Sequence, residues 1–205
     1  MTKNTGKKIG IYSGTFDPVH HGHIAFARRA AHQLGLDKVY FLVEPEPGHK
    51  QQAQSLRHRL NMAWLALQDY PELELLPAQQ QKFTVSQTLP WLEEKFEEAE
   101  LHLLMGTDLF NKVHTWPGFD QLKRRLTFVV GQRDDHDSSD SSVEHQSIQA
   151  ELADLTSSAV RSLQPRQLAG MVPDTVAQYI NAQGLYDTGS EAASSASSSS
   201  VSKSL

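Results

Sequence analysis

The sequence predicts an α/β fold, a parallel sheet with helices on both faces, from three observations. Short apolar runs recur along the chain, as in KIGIY (8–12), KVYFLVEP (38–45) and LTFVVGQR (126–133), and strands buried on both faces read this way. Amphipathic stretches of helical period lie among these runs. The two kinds alternate almost to residue 187, and such alternation builds a parallel, Rossmann-like sheet.

Each element has its own signal. KKIGIYSG (7–14) is a first strand closed by glycine. HIAFARRAAHQLG (23–35) is a helix with Ile24, Ala27, Ala31 and Leu34 on one face and Gly35 as its stop. A second strand follows at 38–45, then a helix in SLRHRLNMAWLALQ (55–68) capped by Ser55. LELLPA (73–78) is a third strand, and TVSQTLPWLEEKF (84–96) a third helix capped by Thr84. LHLLMGTD (101–108) and LTFVVGQR are the fourth and fifth strands, and the alternating SIQAELAD (147–154) is a candidate sixth. SSAVRSL (157–163) opens a helix and DTVAQYINAQGLY (174–186) forms the last one.

Composition narrows the function classes. The chain has 205 residues, 39% of them hydrophobic, which suffices for one sizeable core. A net charge of −5 argues against a general nucleic-acid coat, and the KRR at 123–125 reads as a solvated helix end. There is no cysteine, so disulfides and thiolate metal sites are excluded. No segment approaches the roughly 20 apolar residues of a membrane span, so a cytoplasmic location is expected. RDDHDSSDSS (133–142) reads as a solvated acidic loop, with a cation site as the alternative. The Ser-rich 188–205 lacks the bulky apolar residues needed to offset ordering entropy and is expected to be disordered. One domain over 1–187 and a tail over 188–205 follow.

The densest chemistry is SGTFDPVHHGH (13–23). Ligands of open parallel sheets bind beyond the C-terminal strand ends, where this stretch falls. Gly14 lets the backbone turn or approach a ligand, and Gly22 leaves room at the helix start. A helix N-terminus offers N–H groups and a partial positive charge to phosphate. His20 and His23, three apart, share a side and can donate to phosphate oxygens, whereas His21 points elsewhere. Zinc is the competing use of two such histidines, but no third ligand is evident. Asp17 reads as a residue that holds the corner, and Pro18 fixes its turn.

The string GTFDPVHHGH (14–23) resembles the signature of the HxGH nucleotidyltransferase superfamily, and LTSSAVR (155–161) resembles that superfamily's second signature near the start of a late helix. Within it the chain is most similar to the bacterial nicotinate mononucleotide adenylyltransferase family. EPGHK (46–50) resembles the family's P-P-H-K loop, KFTVSQTL (82–89) its S-Y-T-x-x-T-L helix start, GTDLFNKVHTW (106–116) its G-x-D…W stretch, and VPDTVAQYINAQGLY (172–186) its C-terminal helix. Ser13, Gly48, Phe83, Gln87 and Ser158 depart from the usual residues.

The resemblance implies a nucleotidyltransferase fold and an enzyme of NAD biosynthesis. That enzyme joins nicotinate mononucleotide to the AMP part of ATP, giving deamido-NAD and pyrophosphate. It implies His20, His23 and Arg161 as catalytic residues. Gly14, Thr15, Phe16, Gly22, Gly106, Asp108, Ser157 and Ser158 join those three around ATP, with Asp108 on a ribose hydroxyl. Lys50, Phe83, Thr84 and Trp116 are implied for the acceptor, Lys50 as a phosphate clamp and Trp116 as a stacking ring. Mg²⁺ is implied as bound mainly through the ATP phosphates, with no dedicated protein ligand. Two alternatives stay open: a sister enzyme on the same fold acting on phosphopantetheine or transferring CMP, and a non-catalytic nucleotide-binding sensor. The sequence leaves the oligomeric state open.

Overall fold

The computed structural model describes residues 6–47, 53–77, 84–132, 143–150, 152 and 154–186. The loop 133–142, Gly48, Lys50, Phe83 and the Ser-rich 188–205 lie outside the described residues. Six parallel strands run in the order β3-β2-β1-β4-β5-β6: β1 (Lys8–Gly14), β2 (Lys38–Val43), β3 (Leu73–Leu75), β4 (Glu100–Gly106), β5 (Leu126–Gln132) and β6 (His145–Gln149). Between β1 and β4 the order reverses, which opens a crevice at their C-terminal ends, at Gly14 and Gly106.

Side-chain alternation along the strands sorts the core into two layers. Val39, Phe41 and Val43 of β2 and Leu104 of β4 pack on one face, against α1 (His21–Leu34), α2 (Leu56–Leu67) and α7 (Asp174–Gln183). Ile9 and Ile11 of β1, Leu101, Leu103 and Met105 of β4, and Phe128 and Val130 of β5 face the other way, toward α3 (Val85–Lys95), α4 (Thr107–Val113) and α5 (Phe119–Arg125). The predicted doubly covered parallel sheet is therefore observed.

Boundaries follow local chemistry. α1 ends at Gly35 in the left-handed conformation, and Ser55 Oγ accepts the His58 amide at the start of α2, both as predicted. Thr84 occupies the cap position of α3, but its hydroxyl lies 3.3 Å from Ser86 Oγ and makes no capping bond. The sixth strand begins two residues before the predicted 147 and ends at Gln149. It is an edge strand with one buried residue, Ile148, so its alternation is weakly anchored. The seven-residue α4 was not expected from the sequence, and α5 only through its basic end at 123–125, both being too short for a helical period to show. Among the described residues no helix is long and apolar enough to cross a membrane.

Candidate active site

The end of β1 turns back under itself. Phe16 takes a positive φ of 49°, costly for a bulky residue, and its buried ring folds beneath Gly14. A Cβ on Gly14 would stand 3.0–3.2 Å from that ring. In this structure the room at Gly14 thus admits Phe16. The ring then meets His23 edge-on at 5.1 Å and Tyr12 at 5.2 Å, giving the histidine an aromatic floor.

His20 is the N-cap of α1 and is only 4% exposed. Its amide donates to Nδ1 of His23 at 3.2 Å, and the two imidazoles stack with centroids 3.6 Å apart. The pairing expected from their spacing is therefore present. Because Nδ1 of His23 accepts, the neutral ring carries its proton on Nε2, an assignment that follows from this hydrogen bond. Gly22 makes the stack possible, since a Cβ there would meet the His20 ring at 3.1 Å and the Leu152 carbonyl at 3.3 Å. His21 is half-buried, and its amide donates to the Met171 carbonyl. The His23 amide donates to the His20 carbonyl. The first turn of α1 thus spends the His21 and His23 amides within the protein.

The second signature comes to the same corner. α6 (Ser157–Arg161) is capped by Thr156, whose hydroxyl accepts from the Ala159 amide. Arg161 donates from Nη1 to the Asp17 carbonyl at 2.7 Å and from Nη2 to Ser158 Oγ at 3.0 Å. Nη1 also stands 3.8 Å from Asp17 Oδ2. Its guanidinium is fixed in place and still partly open to solvent. Ser158 is exposed, but the Ser157 hydroxyl donates to the Pro18 carbonyl at 2.9 Å. In this structure Ser157 ties α6 to the corner.

Across the crevice, β4 runs directly into α4. A Cβ on Gly106 would meet nothing within 4 Å, so open space lies beyond that strand end. Asp108 is exposed in the first turn of α4, and Thr107 anchors the turn by donating to the Gly131 carbonyl. Thr15 is buried, with its carbonyl turned to Arg59. The start of α3 and the turn before α5 pack against each other. A Cβ on Gly118, whose φ is 86°, would stand 2.9 Å from the Val85 side chain. Thr84 and Trp116 are thereby brought to neighbouring segments, with Trp116 half-buried against the second core layer.

Two residues that build the corner escape sequence reasoning. Arg59 is 1% exposed and donates to four main-chain carbonyls, those of Gln54, Thr15, Glu44 and Pro45. Burial pulls its guanidinium below the usual value, while Asp17 and Glu44 pull it back. The available signal was a cation on the apolar face of α2, in register with Met62, Ala63 and Ala66. Tyr186 donates to Asp17 Oδ1 at 2.6 Å, a contact spanning 169 residues that no local pattern announces. Among the described residues no group of three or more His, Asp or Glu side chains gathers to hold a metal.

A parallel sheet whose switch point carries stacked histidines and a tethered arginine defines a nucleotide-binding protein of the HxGH type. The chain belongs to the cytidylyltransferase-like family, whose model matches residues 11–184. Its curated relatives include nicotinate-nucleotide adenylyltransferases. That of Bacillus pumilus is 30% identical over 192 residues, covering 89% of this chain and all of the relative. That of Neisseria meningitidis is 32% identical over 213 aligned residues, covering 88% of this chain and 99% of the relative. Among solved structures, the nicotinic acid mononucleotide adenylyltransferase of Plasmodium falciparum complexed with NaAD superposes with a TM-score of 0.75. At 16% identity it covers 89% of this chain and 98% of that one, a likeness of fold.

Proposed function

We infer that this protein is a nicotinate-nucleotide adenylyltransferase, which joins nicotinate mononucleotide and ATP to give deamido-NAD and pyrophosphate. The observation that carries the reading is the stacked His20–His23 pair sharing one corner with Arg161. A phosphate oxygen of the mononucleotide attacks the α-phosphorus of ATP. The new P–O bond forms as the bond to the β-phosphate oxygen breaks, and pyrophosphate leaves with that electron pair. The acceptor phosphate has a second pKa of about 6 and is anionic near neutral pH, so no general base is needed. Catalysis then rests on positioning and on stabilising charge.

Nε2–H of His23 serves as a donor to the phosphates around the reacting centre, with His20 holding its ring. Arg161 faces the leaving phosphates, where a guanidinium can bind two oxygens. Magnesium enters as part of the MgATP substrate, carried by phosphates and water. Asp108, exposed beyond β4, suits a ribose hydroxyl. Thr84 at the start of α3 and the Trp116 ring form the acceptor wall, and Lys50 is assigned to the acceptor phosphate from its place in the sequence. Residues 1–187 constitute the catalytic domain.

The test is pyrophosphate release from MgATP with nicotinate mononucleotide, its amide analogue and phosphopantetheine in parallel. Turnover confined to the pyridine nucleotides supports the reading. Turnover with phosphopantetheine alone overturns it in favour of the sister activity, and nucleotide binding without any turnover overturns it in favour of a sensor.

A further inference from the structure

The reaction leaves one motif unused, the Gly-Leu-Tyr that closes the described chain. α7 stops at Gly184 in the left-handed conformation, and Tyr186 also takes a positive φ, 65°, which a bulky residue adopts at a cost. Leu185 is buried, and the Tyr186 hydroxyl reaches the histidine corner to donate to Asp17 Oδ1 at 2.6 Å. Burial and the Asp17 carboxylate hold this phenol above its usual range, so it remains a donor at working pH.

Asp17 is 1% exposed and sits between two cations, Arg59 and Arg161. A buried carboxylate beside a guanidinium ordinarily closes a direct hydrogen-bonded pair, the strongest arrangement open to both. Here it does not. Oδ1 is engaged by Tyr186, and Oδ2 accepts the Gln54 amide at 3.3 Å. Nη1 of Arg161 stays 3.8 Å from Oδ2 and bonds instead to the main-chain carbonyl of Asp17. The guanidinium is tethered without being neutralised by a fork-to-fork pair.

We propose that Tyr186 is a positioning residue for the triphosphate: by occupying Asp17 it keeps that carboxylate from capturing Arg161, leaving the guanidinium to bind phosphate. The proposal rests on the reading of Arg161 as the cation that faces the leaving phosphates. Removing the hydroxyl leaves a buried carboxylate oxygen short of a donor, which is expensive. The nearby guanidinium can supply that donor, at the expense of the phosphates.

The test is Tyr186→Phe, which keeps the ring and its packing, studied by calorimetric titration with MgATP and with nicotinate mononucleotide. Kd for MgATP is expected to rise about tenfold, on the scale of one charge-assisted hydrogen bond. Kd for the mononucleotide should stay within about twofold, a split that a general loss of structure would not give. A crystal structure of the variant should show the Asp17 carboxylate, having lost its donor at Oδ1, turned into a direct hydrogen bond with Arg161. Asp17→Asn on the Tyr186→Phe background removes the competing charge. It should bring MgATP affinity to within about threefold of Asp17→Asn alone, a non-additivity that marks the coupling. Unchanged MgATP affinity, parallel weakening of both ligands, or additive effects in the double variant would overturn the proposal. A wild-type protein that fails to bind MgATP overturns the proposed function and this inference with it. Normal wild-type binding with an unaffected Tyr186→Phe overturns the inference alone.

Discussion

The amide of His20 donates to Nδ1 of His23, and the two rings stack at 3.6 Å. One residue therefore orients the other, and His23 is left with Nε2–H as its donor. His23→Ala is expected to lower kcat about a hundredfold, the scale of losing one transition-state donor, and His20→Ala by a similar factor because the stacked ring that holds His23 in place is lost while the amide bond survives. His21→Ala should cost no more than about twofold, since its amide bond to Met171 needs no side chain. Steady-state kinetics on the three variants checks this, and equal losses at all three positions would refute the division of roles.

Gly22 separates activity from stability. A methyl there meets the His20 ring at 3.1 Å and must push it by a few tenths of an ångström. Alanine also lowers the conformational freedom of the unfolded chain, which is worth about 0.4–1 kcal/mol toward folding. Gly22→Ala should melt within a few degrees of the wild type yet turn over about tenfold more slowly, because small displacements near the chemistry are costly. Thermal melts and kcat measured on one preparation decide it. Unaltered turnover would mean that the stack tolerates displacement.

Arg59 is a stability residue. Its replacement by Met leaves the four carbonyls it serves without that donor and the buried Asp17 with Arg161 as its remaining neighbouring cation. The expected loss is about 3–5 kcal/mol in chemical denaturation. Arg59→Lys should recover less than half of it, because an ammonium cannot reproduce the planar fork. Full recovery by Lys would show that charge alone matters.

His102 makes stability pH-dependent. It is 3% exposed on β4, and desolvation holds its pKa below the ordinary 6.5. The unfolded chain takes up this proton at about pH 6.5, before the folded protein does. The contribution is therefore complete above pH 6.5 and is lost as the pH falls from there toward the folded value. His102→Asn should flatten the fall of unfolding free energy as the pH drops below about 6.5, relative to wild type. Identical slopes would contradict the assignment.

β1, β2, β4 and β5 were legible because each is a compact apolar run, and the helices α1, α2, α3 and α7 because they are long enough to show a period. The His20–His23 pair was legible from its spacing, and Arg161 from the second signature. What stayed hidden depends on tertiary contact. Nothing local in the sequence shows that the Ser157 hydroxyl reaches the Pro18 carbonyl or that the Phe16 ring lies beneath Gly14. Arg59 and Tyr186 act across 44 and 169 residues of chain, separations that no local pattern encodes.

The central claim concerns the acceptor. Nicotinate carries a carboxylate that nicotinamide lacks, and a pocket selecting it must offer N–H donors or positive potential. Thr84 stands in extended conformation at the start of α3, where first-turn amides and the helix dipole meet that need. Trp116 would stack on either ring and should raise affinity without discriminating. The most direct measurement is kcat/KM for pyrophosphate release from MgATP with nicotinate mononucleotide and with its amide. The expected preference for the acid is at least about tenfold, or roughly 1.4 kcal/mol, with Trp116→Ala weakening both acceptors alike. Equal values, or a preference for the amide, would contradict the assignment of this site to nicotinate.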